Sequence, residues 1–172
     1  RRDANAGKTG VAANRVFVEA AMCGPFIAVI TAAVGRLHIG PGMSDTTDVG
    51  PMIRPEQRTL IAAQHADAMA RGAHEALRLD VPAGDCFFPP TILTDVPADS
   101  RAMTEETFGP LLPIMAFNTE DPAVALANDS QFGLAASFHD KTRQFDDAHF
   151  KASALRIGHP TRPPERPWQH HH

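Results

Sequence analysis

The sequence predicts an α/β domain with a largely parallel sheet and flanking helices. Short apolar or alternating runs recur along the chain, and the segments joining them carry helical periodicity, as crossovers between parallel strands require. Length adds a bound: 172 residues with 43% apolar composition suffice for one sizeable core and fall short of two full domains.

Arg15 to Glu19 alternates as a strand does, and the run Pro25 to Leu37 then places Phe26, Ile27, Ile30, Ala33, Val34 and Leu37 on one helical face. From Ile39 to Met52, glycine, proline and the Asp45 to Asp48 stretch predict a long surface loop. Pro55 in a first turn and Gly72 past an end bracket a helix through Gln57, Leu60, Ala63 and Met69. Thr91 to Thr94 is a strand, and Leu111 to Phe117 another, which Pro113 assigns to a sheet edge or a bulge. Thr119 is expected to cap a short helix from Pro122 to Asn128. Leu134 to Phe138 and Ala154 to Ile157 are further strands flanking a helix from about Lys141 to Ala152, capped by Asp140. The expected organisation is one domain over residues 1–158 and a Pro-rich tail over 159–172, ending in three histidines that read as a tag remnant.

Composition excludes several function classes. Sixteen Lys and Arg against twenty Asp and Glu, dispersed along the chain, leave no basic footprint for nucleic acid. The most apolar run, Pro25 to Val34, is too short to span a bilayer, so no membrane partner is expected. Cys23 and Cys86 lie far apart, suggesting neither a disulfide framework nor a zinc site, and a reducing cytoplasm suits them. His38, His65, His74 and His149 lack the spacing of a ligand set, so no metal is expected.

Three stretches carry a resemblance to the aldehyde dehydrogenase superfamily: Asn5-Ala6-Gly7-Lys8-Thr9-Gly10-Val11-Ala12-Ala13-Asn14-Arg15, Phe88-Pro89-Pro90-Thr91-Ile92-Leu93, and Glu105-Glu106-Thr107-Phe108-Gly109-Pro110. Asp48 to Ile53 and Ala127 to Ala135 also look like family segments, so the likeness covers about Asn5 to Gly158, in the family's order. It implies a catalytic domain that packs against a dinucleotide-binding domain, with substrate and nicotinamide meeting in the cleft between them. The texture around Ala12 to Arg15 resembles succinate-semialdehyde dehydrogenases in particular.

The family's chemistry needs a thiolate that adds to the aldehyde, an oxidised nicotinamide that takes the hydride, and a base that activates water. Gly10 matches the position of the nucleophilic cysteine and has no side chain with which to attack. The general-base glutamate and oxyanion-hole asparagine belong to the family region preceding this motif. Thr9 offers only an unactivated hydroxyl, and Cys23 and Cys86 match family positions without a catalytic role. Glu106 matches the residue that bonds the nicotinamide ribose, and Phe108 the one that packs near the nicotinamide ring. Their bland alternatives are a solvated turn acid and a core aromatic. The cofactor implied is NAD or NADP, with no tight binding expected to this chain alone, because the sequence has no Gly-rich pyrophosphate loop. Ala4 stands where semialdehyde enzymes often place an arginine, so a carboxylate clamp is missing, and Lys8 replaces the usual glutamine.

Two other readings compete. Gly7-Lys8-Thr9 looks like the end of a phosphate-binding loop, but Arg2 occupies the position where that loop needs glycine. Alternatively, the chain is a non-catalytic fragment or degenerate domain that binds a complementing cofactor domain or forms a homo-oligomer. In that case an isolated copy exposes an apolar patch and self-associates.

Overall fold

The computed structural model describes residues 13–130. The expected elements beyond Ser130, the Pro-rich tail, and Lys8, Thr9 and Gly10 lie outside the described residues. Within them the chain order is β1 (Val16–Glu19), α1 (Ala20–Val34), α2 (Pro55–Ala70), β2 (His74–Arg78), β3 (Thr91–Thr94), α3 (Arg101–Thr104), β4 (Leu111–Phe117) and α4 (Glu120–Asn128). The strands form one sheet in the order β1-β4-β3-β2. β1 pairs with β4 and β3 with β4, both parallel, while β2 closes the sheet antiparallel to β3. A largely parallel sheet with flanking helices is therefore the observed class.

Alternation along the strands sends successive side chains to opposite faces. Ile92, Leu112 and Ile114 join Val18 and Val34 in one apolar cluster, covered by Cys23, Phe26, Ile27 and Ile30 of α1. Leu93 and Leu111 face the other way, into a cluster with Ile61 and Ala68 of α2 and Ala102 and Met103 of α3.

Pro113 is not at an edge. β4 is central: Leu111 to Pro113 pair with β3, whereas Ile114 to Phe117 pair with β1. The proline is the last residue paired with β3, and pairing with β1 begins only at the next residue, so a missing N–H costs least there. α1 begins at Ala20, five residues before the expected Pro25, which lies inside the helix. The ring removes one rung to the carbonyl of Ala21 without ending a helix held by its apolar face. Thr119 occupies the N-cap of α4 but makes no side-chain cap bond. Pro122 is the third helical residue, still among those whose N–H has no intrahelical partner.

β2 has no counterpart in the expected elements, since His-Glu-Ala-Leu-Arg carries helix formers. It is an exposed edge strand with a bulge between Glu75 and Leu77, and charged side chains suit such an edge. On α2 the buried residues are Ile61, Gln64 and Ala68, whereas Leu60 and Met69 of the expected stripe are exposed. The helix ends as expected at Gly72, whose φ of 104° favours glycine. Gly72 N–H donates to Met69 O and Ala73 N–H to Ala68 O, the paired closure of a Schellman motif.

Gly109 is required by proximity: a Cβ there would overlap Cδ1 of Ile61 and lie 3.0 Å from Cε of Met52, both in the closed core. Gly109→Ala is expected to destabilise the domain by about 1–3 kcal/mol in urea denaturation. Ile61→Val removes the obstructing methyl, so the double variant should lose less than the sum of the two single losses.

Candidate functional site

Because β1, β3 and β4 run parallel, the segments that lead into them enter from one end of the sheet. Thr91 is aligned with Leu111, and Thr91 N–H donates to Pro110 O at 2.9 Å, so Phe88–Pro90 and Glu105–Pro110 arrive side by side. Arg15, the last residue of the first motif, enters β1 from the same end. The Phe88 and Glu105 motifs, with Ala13 to Arg15 from the first motif, thus lie at the amino ends of the parallel strands.

The turn Glu105–Pro110 is pinned from α2. Gln57 Nε2 donates to Phe108 O at 3.1 Å, and Gln64 Nε2 donates to Glu106 O at 3.0 Å and to Glu105 Oε2 at 3.3 Å. Glu106 is exposed, Thr107 is buried and Phe108 is half-buried, the alternation of an extended segment. Phe108 lines a pocket of about 210 Å³ with Ile53, Arg54 and Gln57. The loop end at Met52 is tied by its N–H to Cys86 O at 2.7 Å, which leaves Ile53 outside at 72% exposure. Arg58 Nε donates to Phe87 O at 2.8 Å and holds the Phe88 segment to the same helix.

Ions brace the back of the turn. Arg101 grips Glu105 with two bonds, Nε to Oε1 at 2.7 Å and NH2 to Oε2 at 3.1 Å. Asp67 accepts from the main-chain N–H of Arg101 at 2.8 Å and from Arg71 Nε at 3.0 Å, so it serves the first turn of α3 where Ser100 makes no side-chain cap bond. The Arg101 guanidinium sets Glu105 below its ordinary value of 4.5, opposed by burial and helped by the Gln64 bond. The Arg101 N–H and the Arg71 guanidinium hold Asp67 below 3.8. At the far corner, Arg15 donates to the carbonyls of Leu126, Ala127 and Asp129 at the end of α4 and lies over the Phe17 ring at 5.8 Å. Those carbonyls have no intrahelical partner, and the cation suits the negative helix end.

Of the residues the sequence singles out, Glu106 and Phe108 share this rim, and Gly10 lies outside the described residues. Cys23 packs on α1 in the opposite cluster, with its thiol pKa pushed up by burial and by Asp95. His38, His65 and His74 bond to Asp48, Glu75 and Asp95 respectively. Among the described residues no group of three metal-ligating side chains forms, and no helix is long and apolar enough to cross a membrane. Gln57, Gln64, Arg101 and Asp67 were not singled out by sequence. The available signal was Gln64, a polar residue in register with Ile61 and Ala68 on the inward stripe of α2.

Residues 3–161 match the aldehyde dehydrogenase family model. The chain is 41% identical over 151 residues to the NADP(+)-type succinate-semialdehyde dehydrogenase of Escherichia coli (strain K12), covering 82% of this chain and 30% of that protein. It is 38% identical over 138 residues to the 3-sulfolactaldehyde dehydrogenase of Pseudomonas putida, covering 80% and 28%. Among solved structures, an aldehyde dehydrogenase from Brucella melitensis biovar abortus 2308 aligns with a TM-score of 0.82 at 39% identity, covering 92% of this chain and 32% of that one. The succinate-semialdehyde dehydrogenase from Burkholderia pseudomallei aligns with a TM-score of 0.82 at 36% identity, covering 92% and 33%. The chain thus spans about 30% of the length of the curated relatives it matches.

Acid titration reads the ionic brace. Both Asp67 and Glu105 have folded pKa values below their unfolded ones. The stabilisation they give is therefore present above about pH 5 and lost as the pH falls through their depressed values. Thermal melting followed downward from neutral pH should show this loss, and Asp67→Asn or Glu105→Gln should each make the acid limb shallower.

Proposed function

We propose that this chain, which belongs to the aldehyde dehydrogenase family, forms the nicotinamide-facing wall of an aldehyde-oxidising site, and that the 172-residue polypeptide by itself does not turn over. The turn Glu105–Pro110 carries this reading: it presents an exposed carboxylate at Glu106 and the Phe108 ring beside a pocket. Glu106 can accept hydrogen bonds from ribose hydroxyls, while Phe108 and Ile53 supply an apolar surface against which a planar ring can pack. Arg54 and Gln57 add donors at the pocket wall. At about 210 Å³ the pocket is smaller than a whole-ligand site of roughly 300–1,000 Å³, so it suits the nicotinamide end of a dinucleotide and not its pyrophosphate. NAD or NADP, when bound, supplies the hydride acceptor.

Addition to the aldehyde carbonyl needs an electron pair from a side chain, and Gly10 has none. Cys23 is no substitute, since it packs on the far face of the sheet with a raised thiol pKa. The substrate class we infer for the family reaction is a short aldehyde with an anionic far end, succinate semialdehyde being the leading case. Relatives named for succinate semialdehyde, glutarate semialdehyde and 3-sulfolactaldehyde support this class. Ala4 stands where such enzymes often carry an arginine, so this class is inferred from the relatives and not from a carboxylate clamp in this chain.

A second reading, an association module, is favoured by α1. This helix of 15 residues carries no charge, and Met22 and Val29 on its outer side are 42% and 71% exposed. Light scattering should then show mass rising with concentration and Val29→Glu reversing the rise. A monodisperse monomer over a wide concentration range would count against it.

For the main reading, the purified polypeptide and its Gly10→Cys variant are incubated with succinate semialdehyde and NAD or NADP. Neither should reduce the coenzyme, because Gly10→Cys restores a thiol but no anchorage for the pyrophosphate. Turnover by the parent, or an aldehyde adduct mapped to it, defeats the nucleophile argument. Turnover by the variant alone shows that the polypeptide anchors its coenzyme unaided.

A further inference from the structure

We propose that Gln64, together with Gln57, is a positioning residue of the nicotinamide-facing site: the two carboxamides hold the main-chain carbonyls of Glu106 and Phe108 and so set which way the alternate side chains of the turn face. The inference deepens the proposed function and rests on the assignment of Glu106 and Phe108 to that site.

Gln57 and Gln64 stand seven residues apart, two turns of α2 and about 10 Å along its axis. Ile61 lies between them and meets Gly109 at the closest approach of the turn to the helix. One face of α2 therefore fixes the turn at three successive points. Gln64 is fully buried, its Oε1 has no partner, and its Nε2 serves two acceptors, Glu106 O and Glu105 Oε2. Turning the carboxamide over would set Oε1 against those same acceptors, so the observed orientation is the one the site permits. A side chain retained only to fill volume would be better apolar, since the unpaired oxygen is a cost that an aliphatic residue avoids. What the amide contributes instead is a donor aimed at the main chain of the turn.

The acceptor side is equally constrained. Arg101 fixes the Glu105 carboxylate with two bonds, and Asp67 fixes the main chain of Arg101, so Gln64 bonds to a carboxylate that cannot swing away. With the carbonyls of residues 106 and 108 turned toward α2, Thr107 is buried and Glu106 is left outside. Gln64 touches no reacting group; it acts through the orientation of Glu106.

Carbonyl carbon shifts of the isotope-labelled chain test this directly. Gln64→Met should move the Glu106 carbonyl upfield and leave Phe108 in place, and Gln57→Met should do the reverse. Cleavage by a Glu-specific protease after Glu105 or Glu106, relative to cleavage after Glu75, should rise on the order of ten-fold in Gln64→Met with little change in melting temperature. Gln64→Glu keeps the shape if the methionine variant does not fold, and it places a second carboxylate against Glu105. Its loosening of the turn should therefore be greater at neutral than at mildly acid pH. Unmoved carbonyl shifts, or cleavage that rises only in step with a general loss of stability, overturn the proposal. Neither readout involves a nucleotide. Titration of the parent with nicotinamide mononucleotide separately tests the assignment of Phe108: weak shifts confined to its pocket support that assignment, and an intact clamp with no response there removes Phe108 from it and leaves the clamp standing.

Discussion

β4 has two partners in succession, β3 along its first half and β1 along its second, and the placement of the candidate site follows from that pairing. Parallel registry obliges the chain to enter all three strands from the same end. The Phe88 segment and the Glu105–Pro110 turn are therefore neighbours, and Arg15 enters β1 from the same end, although they come from distant parts of the sequence. Proline at position 113 is compatible with this only because the two ladders do not overlap there. The arrangement also sets the site at the amino ends of the strands. In open doubly wound sheets ligands commonly lie outside the carboxyl ends, so fold class alone would direct attention to the wrong side.

The turn is built with two kinds of contact of different reach. Close approach at Gly109 fixes distance to α2, and the glutamine donors fix rotation about that contact. The ion pairs behind them remain partly open to solvent, and pairs so placed contribute little stability each. Their value is geometric, since Arg101 holds a carboxylate in the plane where Gln64 can meet it.

Much of this was legible in the sequence, and the failures have physical causes. α2 announced itself by Pro55 and Gly72 because a first-turn proline and a left-handed closing residue are local requirements. β3 and β4 were legible from their apolar runs, as expected for strands covered on both faces. β2 was not, because an exposed edge strand of polar residues has its conformation imposed by β3, and nothing in its own composition asks for it. The motif residues Glu106 and Phe108 were found by resemblance. Gln57 and Gln64 escaped because a glutamine on a helix reads as solvated surface, and only the carbonyls of a segment some forty to fifty residues away give it a partner.

The same sheet imposes an order of events during synthesis. Val16 must find Ile114, so β1 waits for about a hundred further residues before its partner leaves the ribosome. At roughly 5–20 residues per second that delay lasts on the order of ten seconds. Throughout it, the uncharged α1 has no completed sheet to lie on. Long-range pairing of this kind makes folding slow and leaves apolar surface open to chaperones, so the amount of native chain a cell accumulates depends on how well that first helix is shielded while the rest is made.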